Sequence, residues 1–584
     1  MRTRCLSLLL VLLLPLWLGA QKSVNQEYKK AFEQAYQACP GVPQGWLEAI
    51  SFTNTQFHHL TDNNYFHEDD NAMPRAYGLM GLVKNGKGYF RENLHLVSEL
   101  SGISESEILE SPDKNVMAYA KAFECLATKS KATATKDYLS VVQQLSELPI
   151  GEEKDVFPMQ TMLYSVCAFL NDASRAEQFG FPKYDIDLKA VFPEYYELLS
   201  AQNLQITRDC DYPKAIWNPA PECNFSQRND LVSGVVIHYT EGSYAGCISW
   251  FKNCDASVSA HYVIRSSDGQ VTQMVREADK AWHARTANPY TIGIEHEAYG
   301  NIWSFFTEAM YQSSADLVHN ICSRYASIDG HRTFYRDTLD NGTCLNLGLH
   351  DLGGETACTK IRGHQHYPNQ SHTDPGPYWD WNYYYKLINE GTPVTMLESE
   401  SGSLDHKNYG DDERKIWVIC GPEESKVSLE FKSFQMEKDY DFLWIYDGDN
   451  VYAPKIGRWN TKNPGRVEAS GNVMCVEFRS DCATNANGWE AEWKAELPVV
   501  PEPDYGFGVY PNPATDKIKI SSDKEGFTDV VICDLLGNCM IPVTRFIKSV
   551  EIDISDWPVG VYVVSYGEPV RLEKTVKLVK LKTQ

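Results

Sequence analysis

The sequence predicts a multidomain protein: an all-α N-terminal domain, an α/β domain on a mixed sheet, a β-sandwich, and a second, small C-terminal β-sandwich. Three observations carry this expectation. At 584 residues the chain exceeds what one hydrophobic core organises. Its apolar periodicity is helical at first, then alternates between strand and helix, then settles to a period of two. Turn-rich stretches at 209–213, 218–221 and 501–504 fall where that pattern changes.

Hydrophobic content of 43%, with 14 Trp and 33 Tyr, indicates folded domains. A formal charge of −24 argues against nucleic acid or an anionic membrane surface as the main partner. Arg2 and Arg4 precede an apolar run over 6–18, and Leu18-Gly19-Ala20 supplies small residues. This reads as a signal peptide over 1–20, with the mature chain starting near Gln21. The run is shorter than the ~20 residues of a spanning helix, so no membrane span is expected. Cys5 precedes the run, which disfavours a lipid anchor. Removing Cys5 leaves 15 of 16 cysteines, and export permits disulfides. An odd number leaves at least one thiol free, on a metal, or paired to another molecule.

Over 21–201 the spacing of Ala31, Phe32, Ala35 and Tyr36 is helical, Ser104 to Glu107 resembles a helix start, and 137–148 and 160–170 continue the pattern. Trp46 to Ile50 followed by Thr53 to Phe57 resembles the core helix of lytic transglycosylases, and Tyr77 to Leu82 their glycine–leucine–methionine turn. That family uses a glutamic acid as general acid. Asn54 stands at the matching position, so the resemblance implies a domain that holds glycan without cutting it; a helical accessory domain is the alternative. Cys210 and Cys223 are placed to staple the following connection.

Over 205–393 strands are expected at 232–238, 258–264, 271–275 and 291–296, helices at 245–251 and 306–325, and an insertion at 328–360 that Cys344 and Cys358 could tie down. The stretch 362–381, RGHQHYPNQSHTDPGPYWDW, holds three histidines, two aspartates and three prolines. Nitrogen and oxygen donors on so stiff a backbone suit a zinc ion. His238-Tyr239-Thr240, Ser259 to Tyr262, Ala281 to Ala284, Ile292 to Glu295, Gly363-His364 and Thr373 to Gly376 occur in order. Together they resemble the zinc N-acetylmuramoyl-L-alanine amidases related to phage amidases and peptidoglycan-recognition proteins.

The resemblance implies His238, His364 and Asp374 as Zn2+ ligands and Glu295 as the acid/base residue, with Glu297 its rival on the same strand face. His366 competes with His364, because it lies eight residues before Asp374, the spacing of the family's cysteine-type branch. His372 stands where relatives often carry lysine and is expected to stabilise the oxyanion. His261, His283 and Tyr239 are expected to line the substrate site, although His261 and His283 are also readable as supporting histidines. His296 stays ambiguous. The resemblance also suggests a Cys247–Cys254 disulfide.

Over 398–498, Phe434 to Glu437, Tyr440 to Gly448, Phe478 to Asp481 and Gly488-Trp489 resemble a CUB domain, which implies Ca2+ at Glu437, Asp441 and Asp481 or else solvated loop acids. Over 504–584, Val509 to Asp516, Gly560 to Tyr562 and a lysine-flanked end resemble the C-terminal sorting domain of type IX secretion cargo. The expected function is a secreted zinc hydrolase cutting the amide between N-acetylmuramic acid and L-alanine in peptidoglycan. Expected partners are peptidoglycan or muropeptides and the type IX secretion machinery. The alternatives are a non-catalytic peptidoglycan-binding protein and a CUB-mediated surface adhesin.

Overall fold

The structure, a computed structural model, describes residues 28–65, 72–200, 210–300, 302–334, 358–367, 372–497, 506–523, 526–568 and 571–582. The expected leader, Cys344 and most of the 328–360 insertion lie outside them.

The N-terminal region is helical, apart from a two-stranded pairing of Ala76–Tyr77 with Leu82–Val83. Its central helix is α1 (Trp46–Thr55). The Tyr36 hydroxyl accepts from Gly45 N and Leu47 N at the start of α1 and donates to Glu48 Oε2 at 2.5 Å. One hydroxyl thus satisfies amides that a helix start leaves orphaned. The long helix α2 (Glu153–Asn171) packs beside α1.

A six-stranded mixed sheet forms the next region. Its strands are β1 (Ile216–Trp217), β2 (Gly234–Tyr239), β3 (Tyr262–Ile264), β4 (Val271–Gln273), β5 (Thr291–His296) and β6 (Ile361–Gly363). They lie in the order β6-β2-β5-β3-β4-β1, with β3 and β4 antiparallel and the other pairs parallel. Strands buried on both faces read as apolar runs, which is why β2 and β5 were legible. Helix α3 (Tyr244–Trp250) follows β2, capped by Ser243 accepting from Gly246 N. One sheet face contributes Val263 and Met274 to a core that continues through Ile248 and Trp250 of α3 into Trp46, Phe90 and Phe123 of the helical region. Helices α4 (Glu308–Arg324) and α5 (Trp381–Ile388) cover Val235, Ile237, Ile292 and Ile294 on the other face. The helical region and the sheet therefore share one apolar core.

The CUB-like region pairs a five-stranded sheet with a four-stranded one, and Trp417, Leu429, Phe431 and Trp489 fill the space between them. It docks on α5 through buried charge. Glu477 accepts from Arg414 Nε at 2.8 Å and Arg479 Nε at 2.9 Å, while Arg479 lies 4.0 Å over the Tyr385 ring. Lys386 Nζ donates to Val451 O at 2.7 Å. At the C-terminus, three- and four-stranded antiparallel sheets share a core that includes Val509, Ile520, Val530 and Val564. Among the described residues, no helix is long and apolar enough to cross a membrane.

The disulfides differ from every pairing expected from sequence. Cys223 bonds Cys254, not Cys210, and Cys247 is a buried free thiol. The cause is Asn224, whose Nδ2 donates to Phe251 O and Asn253 O at 2.8 Å each and clamps the two turns together. Cys210 instead faces Ala215 O at 3.1 Å. Cys358 bonds Cys482 across 124 residues, joining the mixed-sheet region to the CUB-like region rather than closing the insertion.

Candidate active site

Three parallel strands end at one edge of the sheet. His238 on β2 lies in register with Glu295 on β5, and Gly363 on β6 pairs with Ile237, so His364 emerges beside His238. The following loop folds back so that Gln365 N donates to Asp374 O at 3.1 Å. Gly363 permits this approach, because a Cβ there would sit 2.3 Å from Pro375 Cδ. His238, His364 and Asp374, separated by up to 136 residues in sequence, meet in this way.

Ligand atoms of these three residues lie within 4.8 Å of one another, and none of the three is more than 4% exposed. His238 Nδ1 is 2.7 Å from Asp374 Oδ2, and His364 Nδ1 is 3.3 Å from Asp374 Oδ1. Burial alone would raise the Asp374 carboxyl, but His364 and His238 hold it well below the usual range. Burial pushes His238 down to about 4 against the pull of Asp374. Two imidazoles and one carboxylate converging in a buried pocket fit a zinc ion's preference for nitrogen and oxygen donors.

His238 Nε2 faces His283 Nδ1 at 3.0 Å, and His283 Nε2 faces Thr291 Oγ1 at 3.4 Å. Thr291 donates its hydroxyl proton to Ala287 O, so it accepts from His283. His283 Nδ1 is then the acceptor for His238 Nε2–H, which leaves the His238 Nδ1 lone pair facing the donor cluster. Gly293 is needed here as well: a Cβ would lie 2.5 Å from His283 Cγ.

Glu295 and Glu297 part company. Both Glu297 oxygens accept backbone amides, from Tyr244 at 2.9 Å and Ser266 at 2.8 Å, so it ties α3 to the β3–β4 turn. Glu295 Oε2 has no hydrogen-bond partner among the described residues. Burial, then the charges of Asp374 and Glu241, raises its carboxyl well above the usual range. A buried carboxyl with a raised pKa is the kind of group that serves as a general acid or base.

His372 stacks on His364 at 4.4 Å between ring centres, with Nδ1 3.7 Å from Asp374 Oδ1, at the mouth of the pocket. His366 points elsewhere: its Nδ1 accepts from Gly363 N at 3.0 Å and its ring stacks 4.2 Å from Phe334. His296 bridges His238 O and Ser314 Oγ behind the sheet. His261 is fully buried behind His283, where Gly293 N donates to its Nδ1 and Arg228 lies 2.9 Å from its Nε2. A cavity of about 500 Å³ is lined by Tyr239, His283, Glu295, His372 and the three clustered residues. His261 is not on its wall. Two contributors were invisible in the sequence: Arg228, which donates to five backbone carbonyls around His261, and Met73, from the helical region, on the cavity wall. No motif marks either residue.

The family model described as N-acetylmuramoyl-L-alanine amidase matches residues 227–377. N-acetylmuramoyl-L-alanine amidase A of Achromobacter lyticus is 42% identical over 182 residues, which cover 31% of this chain and 97% of that protein. The chain belongs to the N-acetylmuramoyl-L-alanine amidase family. It also carries a CUB domain, matched over 392–493, and a secretion system C-terminal sorting domain, matched over 508–580. A bone morphogenetic protein 1 homolog of Strongylocentrotus purpuratus is 34% identical over 119 residues, covering 19% of this chain and 19% of that protein. A structure of the MASP-1 CUB2 domain bound to Ca2+ shares 20% identity, covering 17% of this chain and 97% of that one, with a TM-score of 0.15.

In the CUB domain, Glu437, Asp441 and Asp481 bring carboxylate oxygens within 4.8 Å of one another. Burial, then Asp481 and Asp441, pushes Glu437 up to about 7, and Asp441 is raised to about 6, chiefly by burial. Crowded carboxylates of this kind suit a hard divalent cation such as calcium. In the helical domain, Asn54 Nδ2 donates to Met80 O at 3.0 Å, joining the two stretches that resemble a lytic transglycosylase beside a second cavity of about 250 Å³.

Proposed function

We propose that this amidase is a zinc hydrolase, exported through type IX secretion, that cuts the amide between the lactyl group of N-acetylmuramic acid and L-alanine in peptidoglycan. One observation carries the reading: a buried His–His–Asp donor set and an unpartnered carboxyl, Glu295, face the same cavity. His238, His364 and Asp374 would hold the zinc. When bound, zinc polarises the carbonyl and acidifies water.

The chain's own residues do the rest. Glu295 takes a proton from the attacking water and returns it to the amine as the C–N bond breaks, giving a lactyl carboxylate and a free L-alanine amine. His372, at the cavity mouth, donates an N–H to the developing oxyanion, and Tyr239 and His283 shape the wall. His283 also fixes the orientation of His238, and His261 supports His283 from behind. A non-catalytic binding role is disfavoured by the complete donor set. The crowded acids support Ca2+ at Glu437, Asp441 and Asp481, and the place of Asn54 beside the second cavity supports a glycan-holding helical domain.

The test uses the purified full chain on N-acetylmuramoyl-L-alanyl-D-isoglutamine and on peptidoglycan, scoring new L-alanine amines with and without a zinc chelator. Asp374→Ala should remove both bound metal, measured by elemental mass spectrometry, and amine release. Release that survives the chelator would sink the zinc reading.

A further inference from the structure

The catalytic cavity is not built by the amidase segment alone. Ala72 and Met73, from the helical domain, line it together with His238, Glu295 and Asp374. The Met73 thioether rests on backbone that has no side chains: a Cβ at Gly242 would lie 1.7 Å from Met73 Cε, and one at Gly246 would lie 3.4 Å from Sδ. Gly242 follows His238 by four residues, and Met73 and His238 line the same cavity. Ala72 is held in turn, its carbonyl accepting from Lys87 Nζ at 2.8 Å.

The two domains are packed against each other beside this place. They share one core, with Phe90 and Tyr89 packed edge-on to Trp250 at 5.8 and 6.0 Å. His58 Nε2 meets Ser304 Oγ at 2.8 Å, and Tyr299 donates to Asn54 O at 3.2 Å. The match to the Achromobacter lyticus relative takes in 97% of that protein within 182 residues, too few to span both the helical region and the amidase region. A wall supplied by a second domain is placed to act on which substrate enters.

We propose that Met73 is a specificity residue: through it the helical domain narrows the catalytic cavity and selects muropeptides with a single, uncross-linked stem peptide over cross-linked ones. This rests on the amidase reading above. The cavity, about 500 Å³, has the size that takes one drug-sized ligand. An unbranched thioether offers an apolar surface that adapts to one chain, and it crowds out a second.

The experiment compares the full chain with Met73→Ala and Met73→Trp on two substrates, a muramoyl tripeptide and a cross-linked muropeptide dimer. Hydrophobic-pocket discrimination by a few methylene groups is about tenfold or more. Met73→Ala should raise kcat/KM for the dimer relative to the tripeptide by about that factor, and Met73→Trp should lower it, with KM moving more than kcat. Equal changes on both substrates in both variants overturn the proposal. If the unmodified chain cuts neither substrate, the amidase reading fails and this inference falls with it. Metal content confirms that each variant has folded around its site.

Discussion

Replacing His283 by alanine tests the arrangement around the donor cluster most directly. The ring's Nδ1 sits 3.0 Å from His238 Nε2 and is the acceptor that keeps the proton on that nitrogen. Without it, His238 is free to turn or to change tautomer, and its Nδ1 lone pair no longer faces Asp374. Partners of this kind are worth about 10–100-fold in metal affinity, or roughly 1.4–2.8 kcal/mol. Zinc competition against a chromophoric chelator reads this directly, without any need for turnover. His283→Asn, whose side-chain carbonyl can accept the same hydrogen bond, should recover part of the loss. An unchanged affinity in His283→Ala would show that the contact does not orient His238. A loss far beyond a hundredfold would mean that His283 is itself a ligand, and either result refutes the reasoning.

Three further outcomes follow from particular contacts. His366→Ala should keep its full metal content by elemental mass spectrometry while costing about 1–3 kcal/mol of stability, because it orphans the Gly363 amide; loss of metal would return His366 to the ligand set. Glu48, held near 7 instead of its ordinary 4.5 by burial, favours the folded state in its neutral form. That contribution is complete below pH 4.5 and lost as pH rises through 7, so wild type should lose about 3 kcal/mol relative to Glu48→Gln across this window in paired denaturant titrations. Parallel curves would contradict it. In the CUB domain, calcium at a hundred times its dissociation constant should stabilise the folded form by about 2.7 kcal/mol. Glu437→Gln should abolish most of that shift in calorimetry, and an equal shift in the variant would exclude Glu437 as a ligand.

Much of the mixed-sheet domain was legible because its strands are buried on both faces and its helices begin at side-chain caps. The strand expected over 291–296 is β5, and the helix expected over 306–325 is α4, which starts after Thr307 accepts from Met310 N. Helix α2 begins seven residues earlier than expected, since Pro158 lies inside it and local propensity reads proline as a boundary. The disulfides were illegible. The family resemblance suggests Cys247 with Cys254, but the partner is chosen by where Asn224 clamps its turn and where the CUB domain docks.

The candidate site divides in the same way. Short motifs mark His238, Glu295, His364 and Asp374 in the sequence because each side chain's chemistry is local to its own residue. The choice between Glu295 and Glu297, or between His364 and His366, depends on what faces each group. Two backbone amides occupy Glu297, and Phe334 and the Gly363 amide occupy His366. Tyr244 and Ser266 lie 53 and 31 residues from Glu297, and Phe334 comes from a separate segment before β6, so no local sequence pattern encodes those neighbours. Sequence alone determined the family resemblance, the order of the domains and the set of reactive side chains. Only tertiary structure decided which of them share a cavity, that Cys358 ties the amidase to the CUB domain, and that a methionine from the helical domain closes one wall of the site.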